Sequence, residues 1–166
     1  MIAGDEDELP QITELLGRPP RGAYEVVVRD RAGVPVVIRN PPLLGDLTPM
    51  PTRYWLIGRE ENDVVGRLES AGGVKQAEAA VDPVELEAAH ARYAAERDQA
   101  VPPGYRGPLP TGGVGGTRRG VKCLHAHLAW YLAGGEDPVG RWAVGHLGLD
   151  TDSYRRDASL TARDAS

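Results

Sequence analysis

The residues best suited to chemistry lie in the glycine-rich stretch GGVGGTRRG at positions 112–120 and in the segment that follows it. Glycines let the backbone turn its N–H groups toward an anion, and a helix N-terminus adds about half a positive charge. The stretch lacks the Gly-Lys-Ser/Thr ending of a P-loop and the preceding buried strand of a dinucleotide-binding fingerprint. It therefore predicts either a solvated surface loop or a site for a phosphate-like anion. The expected anion contacts are Gly113, Gly115, Gly116 and Lys122.

A helix is expected from Val121 to Ala133, and it carries the only cysteine of the chain and two histidines. Cys123 lies in the first turn, where the helix dipole and neighbouring cations lower the pKa of a thiol, so it is a candidate nucleophile. His125 lies near the face of Lys122 and is the candidate proton donor or acceptor. The alternative for Cys123 is a small buried hydrophobe, because free cysteine is among the most buried residue types.

The same helix does not form a metal site by itself. His125 and His127 diverge by about 200° at helical spacing, so they cannot both bind one metal ion. A zinc site would require Cys123 and a histidine to meet further ligands, such as His90 or Asp30. We therefore predict no metal site, and we expect His127 to be packed or to lie on the surface.

An anion would also need cations from other segments. A basic turn at positions 17–22 and a predicted helix at 83–99 supply three of them, Arg18, Arg21 and Arg97. Residues at offsets of three and four share a helix face. This face and the predicted third strand supply the expected pocket lining, His90, Tyr93, Thr52 and Tyr54. We expect Lys122, His125, Arg97 and Arg21 to converge on one pocket. Alternatively, the helix at 83–99 presents these residues on a half-exposed face, and the turn at 17–22 is an ordinary solvated loop.

Strands and helices are segregated along the chain. Runs rich in β-branched residues at 23–29 and 34–39 predict a hairpin, and the run at 52–57 predicts a third strand. Helical spacing and cap signals predict helices at 5–16, 60–70, 83–99, 121–133 and 138–147. The predicted fold class is α+β, with a small antiparallel sheet from the N-terminal third packed against a C-terminal set of helices.

Composition limits the classes of protein to which the chain can belong. Its 166 residues predict one domain, at 1–149, followed by a polar, disordered tail at 150–166. A net charge of −5 argues against nucleic acid and anionic membranes as partners. A single cysteine excludes an intramolecular disulfide, and no apolar run reaches the length of a membrane helix. We expect a cytoplasmic protein.

Several motifs occur in an order that resembles a known family. They are Gly17-Arg18-x-x-Arg21-Gly22, Pro51-Thr52-x-Tyr54-Trp55-Leu56, Gly113-Val114-Gly115-Gly116, Val121-Lys122-Cys123-Leu124-His125 and Asp137-Pro138-Val139-Gly140. From Leu9 to Gly140 the chain resembles a bacterial family catalogued as domain of unknown function 501, which has no established activity. The resemblance implies a bacterial, actinobacterial protein whose relatives are encoded near a septum-formation protein and an exopolyphosphatase-like protein. Members often carry a cysteine after the first strand, where this chain has Arg29 and Asp30.

Two functions are consistent with these observations. In the first, the glycine-rich loop and the helix N-terminus bind phosphate, polyphosphate or a nucleotide, with His125 and Cys123 as candidate catalytic residues. In the second, the protein is not an enzyme, and the glycine-rich loop and the tail contact a protein partner in the cell-division or envelope machinery. The sequence identifies no cofactor.

Overall fold

The sheet is built from the β-branched runs near the N-terminus. In the computed structural model, which describes residues 6–157, β1 (Glu25–Arg29) and β2 (Pro35–Arg39) form an antiparallel hairpin. The carboxylate of Asp30 closes its turn by accepting two backbone hydrogen bonds of 2.9 Å. β3 (Tyr54–Leu56) pairs with β2, and β4 (Arg155–Arg156) pairs with β1. The strand order is therefore β3-β2-β1-β4.

Six α-helices lie within residues 6–157: α1 (Leu9–Leu16), α2 (Arg59–Ser70), α3 (Gly73–Ala80), α4 (Pro83–Gln99), α5 (Leu124–Leu132) and α6 (Pro138–Leu147). The side chains of Asp82 and Asp137 cap α4 and α6, and a proline follows each cap, as predicted. The antiparallel sheet and these helices confirm the α+β fold class. Within the described part of the chain, no helix is long and apolar enough to cross a membrane.

Helix α3 is absent from the sequence-based expectations. Gly72 has a left-handed backbone, with a φ of 90°, and it ends α2. The chain then enters a new helix directly at Gly73, which lies so close to Leu68 that any side chain there would collide with it. Two glycines normally indicate that a helix has ended, and here they also permit the next one to start.

Helix α5 begins later than predicted. It starts at Leu124 and not at Val121, because the backbone of Cys123 is extended, with a φ of −150° and a ψ of 149°. Lys122 and Cys123 therefore precede the helix and belong to the end of the glycine-rich loop. Within this loop, Val114–Gly116 forms a short 3-10 turn.

The segment after Asp150 differs from the prediction of a disordered tail. Residues Thr151–Ser153 form a 3-10 turn, and β4 pairs antiparallel with β1. The Arg156 side chain also donates a 3.0 Å hydrogen bond to the carbonyl of Leu132. The polar side chains of β4 do not indicate a strand, because an edge strand pairs through its backbone N–H and C=O groups. Positions 158–166 of the predicted tail lie outside the described residues.

The sheet has an apolar cluster on each face. The larger cluster joins strand residues such as Val27 and Val37 to the buried sides of α4, α5 and α6. The smaller cluster packs Ile12 of α1 against Val26 and Ile38. Helix α1 is thereby held on the side of the sheet opposite the main helices.

Replacement of Ile12 by alanine tests whether α1 is part of the cooperative fold. Ile12 is fully buried, so the I12A variant should lower the free energy of unfolding by about 2–5 kcal/mol in urea titrations. Leu9 lies on the same helix and is 42% exposed, so L9A serves as the control and should change stability by less than about 0.5 kcal/mol. Equal effects of the two variants would contradict this packing.

Candidate functional site

A cleft of about 540 Å³ opens beside β3. The end of α1 and the first turns of α2 form two of its sides, and the end of the glycine-rich loop with the start of α5 forms a third. Its polar and apolar lining residues are Glu14, Leu15, Leu16, Arg18, Thr52, Tyr54, Trp55, Leu56, Ile57, Arg59, Asn62, Asp63, Gly115, Lys122, Cys123, His125 and Ala126.

The amide of Asn62 sets the position of α2 beside the cleft. Its Nδ2 group donates hydrogen bonds to the carbonyls of Leu56, at 2.9 Å, and Gly58, at 2.8 Å. The first turn of α2 is thus tied to the end of β3. The exposed pair Arg59 and Glu14, 3.3 Å apart, connects α2 to α1 across the same region.

His125 is the histidine that lines the cleft, and Glu69 orients its ring. The Nδ1 atom of His125 lies 2.7 Å from Oε1 of Glu69. The other carboxylate oxygen of Glu69 accepts a 2.8 Å hydrogen bond from the N–H of Leu124, the first residue of α5. The hydrogen bond from Leu124 fixes one oxygen of the carboxylate and thereby places the other oxygen beside the imidazole of His125.

Cys123 also lines the cleft, but its thiol is not activated as expected. Burial raises the pKa of Cys123, an effect that outweighs the backbone N–H groups of Ala126 and His125 and the positive charge of Lys122. The sequence-based expectation of a lowered pKa is therefore wrong. Of the four residues expected to converge on one pocket, Lys122 and His125 both line the cleft.

Hydrogen bonds within the protein use most of the N–H groups that were expected to cradle an anion. Gly113 donates to the carbonyl of Thr117 at 2.7 Å, and Gly116 donates to the carbonyl of Gly113 at 2.9 Å. The N–H of Val121, at the end of the loop, donates to the Glu78 carboxylate at 2.6 Å. Of the three predicted glycines only Gly115 lines the cleft, so an anion here would be held mainly by side chains.

Arg97 lies beneath the glycine-rich loop and away from the cleft. Its side chain is 1% exposed and donates hydrogen bonds to the carbonyls of Gly112, at 2.8 Å, Pro51, at 3.2 Å, and Pro110, at 3.4 Å. Arg97 therefore holds the loop in place, and the expected convergence of Arg97 with Lys122 and His125 is not observed.

His90 and Tyr93 hold the same region from α4. The N–H of Val114 donates to Nδ1 of His90 at 3.0 Å, so the proton of the neutral ring is on Nε2, which contacts the carbonyl of Gly120 at 2.8 Å. The hydroxyl of Tyr93 accepts a 2.6 Å hydrogen bond from the N–H of Arg53. Both side chains are buried and neither lines the cleft.

Of the remaining predicted residues, some line the cleft and others do not. Arg18 lines it, with its guanidinium 5.8 Å from the centre of the Trp55 ring, and so does Thr52. Tyr54 also borders the cleft, but its hydroxyl donates to Glu96 at 3.1 Å, and burial raises its pKa. Arg21 lines a smaller adjacent crevice.

His127 is packed in the core, as expected. Its Nδ1 lies 2.6 Å from the Asp137 carboxylate, and both side chains are 1% exposed or less. Its ring meets that of His90 edge-on, with centres 5.7 Å apart. Within residues 6–157, no group of three or more His, Cys, Asp or Glu side chains is arranged to hold a metal ion.

Sequence reasoning missed Glu69, which is central to the geometry of the site. It lies in the last turns of α2, 55 positions before Leu124. A glutamate near the end of a helix that also carries exposed charged residues gives no signal of this role. Arg59, Asn62 and Asp63 were missed for the same reason, because only the packing of α2 against β3 brings them to the cleft.

One family model matches the chain, over residues 26–145, and it is described as a protein of unknown function (DUF501). No curated protein and no solved structure matches the chain. The matched range begins within β1 and includes β2, β3 and α2–α5, whereas the side of the cleft formed by α1 and Arg18 lies before it.

Removal of the Arg97 guanidinium should destabilise the protein strongly. The R97M variant retains an unbranched side chain but leaves the three carbonyls without their donor, at an expected cost of about 3 kcal/mol or more in the free energy of unfolding. Arg67 is exposed and bonds only within α2, so R67M is the matched control and should be nearly neutral. A similar effect of both variants would contradict a clamping role for Arg97.

The pH dependence of stability should report on His90. Burial lowers its pKa from the ordinary value of 6.5, so the unfolded chain takes up a proton at a higher pH than the folded chain. Stability should therefore fall as the pH drops below about 6.5, in urea titrations at a series of pH values. The H90Q variant, which cannot titrate, should lose part of this slope between pH 6.5 and 5. An unchanged slope would contradict the assignment.

Proposed function

Because the chain belongs to the DUF501 family, whose function is unknown, we propose a function from the cleft: the protein binds a small molecule that combines a phosphate-like anion with an apolar group. One observation carries this proposal. Arg18 and Lys122 both line the cleft, and neither forms an ion pair with a carboxylate of residues 6–157. Arg18 also donates to the carbonyl of Pro19 and lies over the Trp55 ring, but these partners carry no charge, so both cations are available to an anionic ligand.

The charge balance of the lining supports an anion over a cation. Arg18, Arg59 and Lys122 line the cleft against two carboxylates, Glu14 and Asp63. Arg59 is paired with Glu14, which leaves two cations in the lining, Lys122 and Arg18, and one carboxylate, Asp63. His125, held by Glu69, adds a hydrogen-bonding group beside them.

The apolar part of the lining favours a nucleotide over inorganic phosphate. Trp55, Leu15, Leu16 and Ala126 provide surface that a bare phosphate cannot use. Pockets of about 300–1,000 Å³ are typical of small-molecule sites, and the volume here falls in that range. A planar base or another apolar group would bury this surface while its phosphate contacts the cations.

A partner-binding role for the glycine-rich loop has less support. Gly113 is packed against His90, and the loop carbonyl of Gly112 is bonded to Arg97. Residues 151–156 of the predicted tail lie against the body of the protein through β4. Parts of both segments are therefore held by internal contacts, although Arg118, Arg119 and Arg155 are exposed.

Thermal unfolding with a panel of ligands tests the proposed binding. At 100 times its dissociation constant, a ligand should stabilise the protein by about 2.7 kcal/mol, or about 5–10 °C in Tm. Nucleoside mono-, di- and triphosphates should act at lower concentrations than inorganic phosphate or polyphosphate. The shift should disappear in K122A and persist in K75A, which removes the other lysine of the chain from a position outside the cleft.

The ligand panel decides whether the cleft binds a phosphate-like anion. Absence of a shift with every phosphate compound would overturn the proposal. Equal shifts in wild type, K122A and K75A would place any binding outside the cleft and would overturn it as well.

A further inference from the structure

The contacts of His125 point beyond binding to a reaction. We propose that the cleft hydrolyses a phosphate monoester with an apolar leaving group, with His125 as general base and Glu69 as the residue that positions it. This inference rests on the proposed function, because the same cleft must hold the substrate. It adds a step that simple binding does not require.

The Glu69 carboxylate lies against one of the two nitrogens of the His125 imidazole. Nδ1 of His125 lies 2.7 Å from the Glu69 carboxylate, so Nε2 is the ring nitrogen that this carboxylate does not contact. That carboxylate is itself fixed by the N–H of Leu124. A histidine whose second nitrogen is held by a carboxylate is the arrangement that general-base catalysis uses.

The imidazole of His125 shares the cleft with two cations. His125, Lys122 and Arg18 all line one cleft, and the His125 ring is about one-third exposed. Phosphoryl transfer requires little covalent help from the protein and depends on positioning and on charges near the phosphoryl oxygens. Two cations suit a phosphate monoester, which carries up to two negative charges.

The cysteine of the cleft is not the nucleophile of the proposed reaction. Cys123 lies in the same cleft, but burial raises the pKa of its thiol, so it remains protonated near neutral pH and is a poor nucleophile. Water is then the attacking group, and no covalent intermediate on the protein is required.

The reaction balances without any oxidant, reductant or co-reactant other than water. Nε2 of His125 takes a proton from water as the water oxygen bonds to phosphorus. The bond from phosphorus to the leaving oxygen breaks, and its electron pair stays on that oxygen. The leaving oxygen lies on the opposite side of phosphorus and takes a proton from solvent water, while His125 returns its proton to solvent, so an alcohol and inorganic phosphate are released. Lys122 and Arg18 stabilise the charge on the phosphoryl oxygens.

The test uses the full chain with p-nitrophenyl phosphate and nucleoside monophosphates as substrates. Wild type should release nitrophenolate or phosphate, and H125A should lower kcat by about 10²–10⁴-fold. Added imidazole should restore part of the H125A activity, a rescue that a purely structural role would not allow. His146 lies outside the cleft lining and is exposed, so H146A is the control and should retain wild-type activity.

A matched pair of variants separates the effect of Glu69 on His125 from its hydrogen bond to the backbone of Leu124. Glu69 and Glu78 each accept a backbone N–H from the segment 121–124, but only Glu69 contacts a histidine. Both E69Q and E78Q should lower Tm slightly. E69Q should lower kcat at least tenfold with little change in KM, whereas E78Q should leave both constants unchanged.

The results distinguish failure of this step from failure of binding. If the phosphate compounds raise Tm in a Lys122-dependent way but none is hydrolysed, binding stands and the hydrolytic role is overturned. Turnover that survives in H125A, or that E69Q and E78Q reduce equally, also overturns it. Loss of turnover in H125A with an unchanged Tm shift, together with rescue by imidazole, supports it.

Discussion

The buried guanidinium of Arg97 is the interaction on which the rest of the site depends. It extends from α4 and donates to carbonyls from two separate segments, Pro51 just before β3 and Gly112 at the start of the glycine-rich loop. A buried cation is costly unless its donors are satisfied, and here backbone carbonyls satisfy them. Asp98, its nearest carboxylate, is about half exposed. Arg97 thus joins the segment before β3 to the glycine-rich loop, and both segments border the cleft.

The protein's own carboxylates occupy the positions at which the glycine-rich loop and α5 would attract an anion. Glu78 bonds the N–H of Val121, and Glu69 bonds the N–H of Leu124. This arrangement stabilises the start of α5 for the same reason that acidic caps stabilise helices. It also changes the chemistry of the site, because the groups left facing the cleft are side chains, chiefly Lys122, His125 and Arg18.

His90, His125 and His127 have different roles because they lie in different surroundings. His90 is held neutral by a backbone donor and a backbone acceptor, and His127 is buried beside Asp137. His125 lies only two residues before His127, yet it faces the cleft, because α5 turns about 200° between them. Two buried histidines therefore organise the core around the loop, and the third is available for chemistry.

The sequence alone determined those features that depend on neighbouring residues. The Asp-Pro caps of α4 and α6, the hairpin of β1 and β2, and the α+β class follow from local backbone preferences and from apolar periodicity. Lys122 and His125 also line one cleft, but Lys122 precedes α5, so helical spacing is not the reason.

Only the tertiary structure decided which distant groups meet. The pairing of Glu69 with His125, the burial of Arg97 under the loop and the addition of β4 to the sheet all join segments far apart in the chain. Polar residues on a helix have the same local pattern whether they face solvent, a carbonyl or a cleft. Their roles are set by the packing of α2 and α4 against the sheet and the loop, which no local pattern encodes.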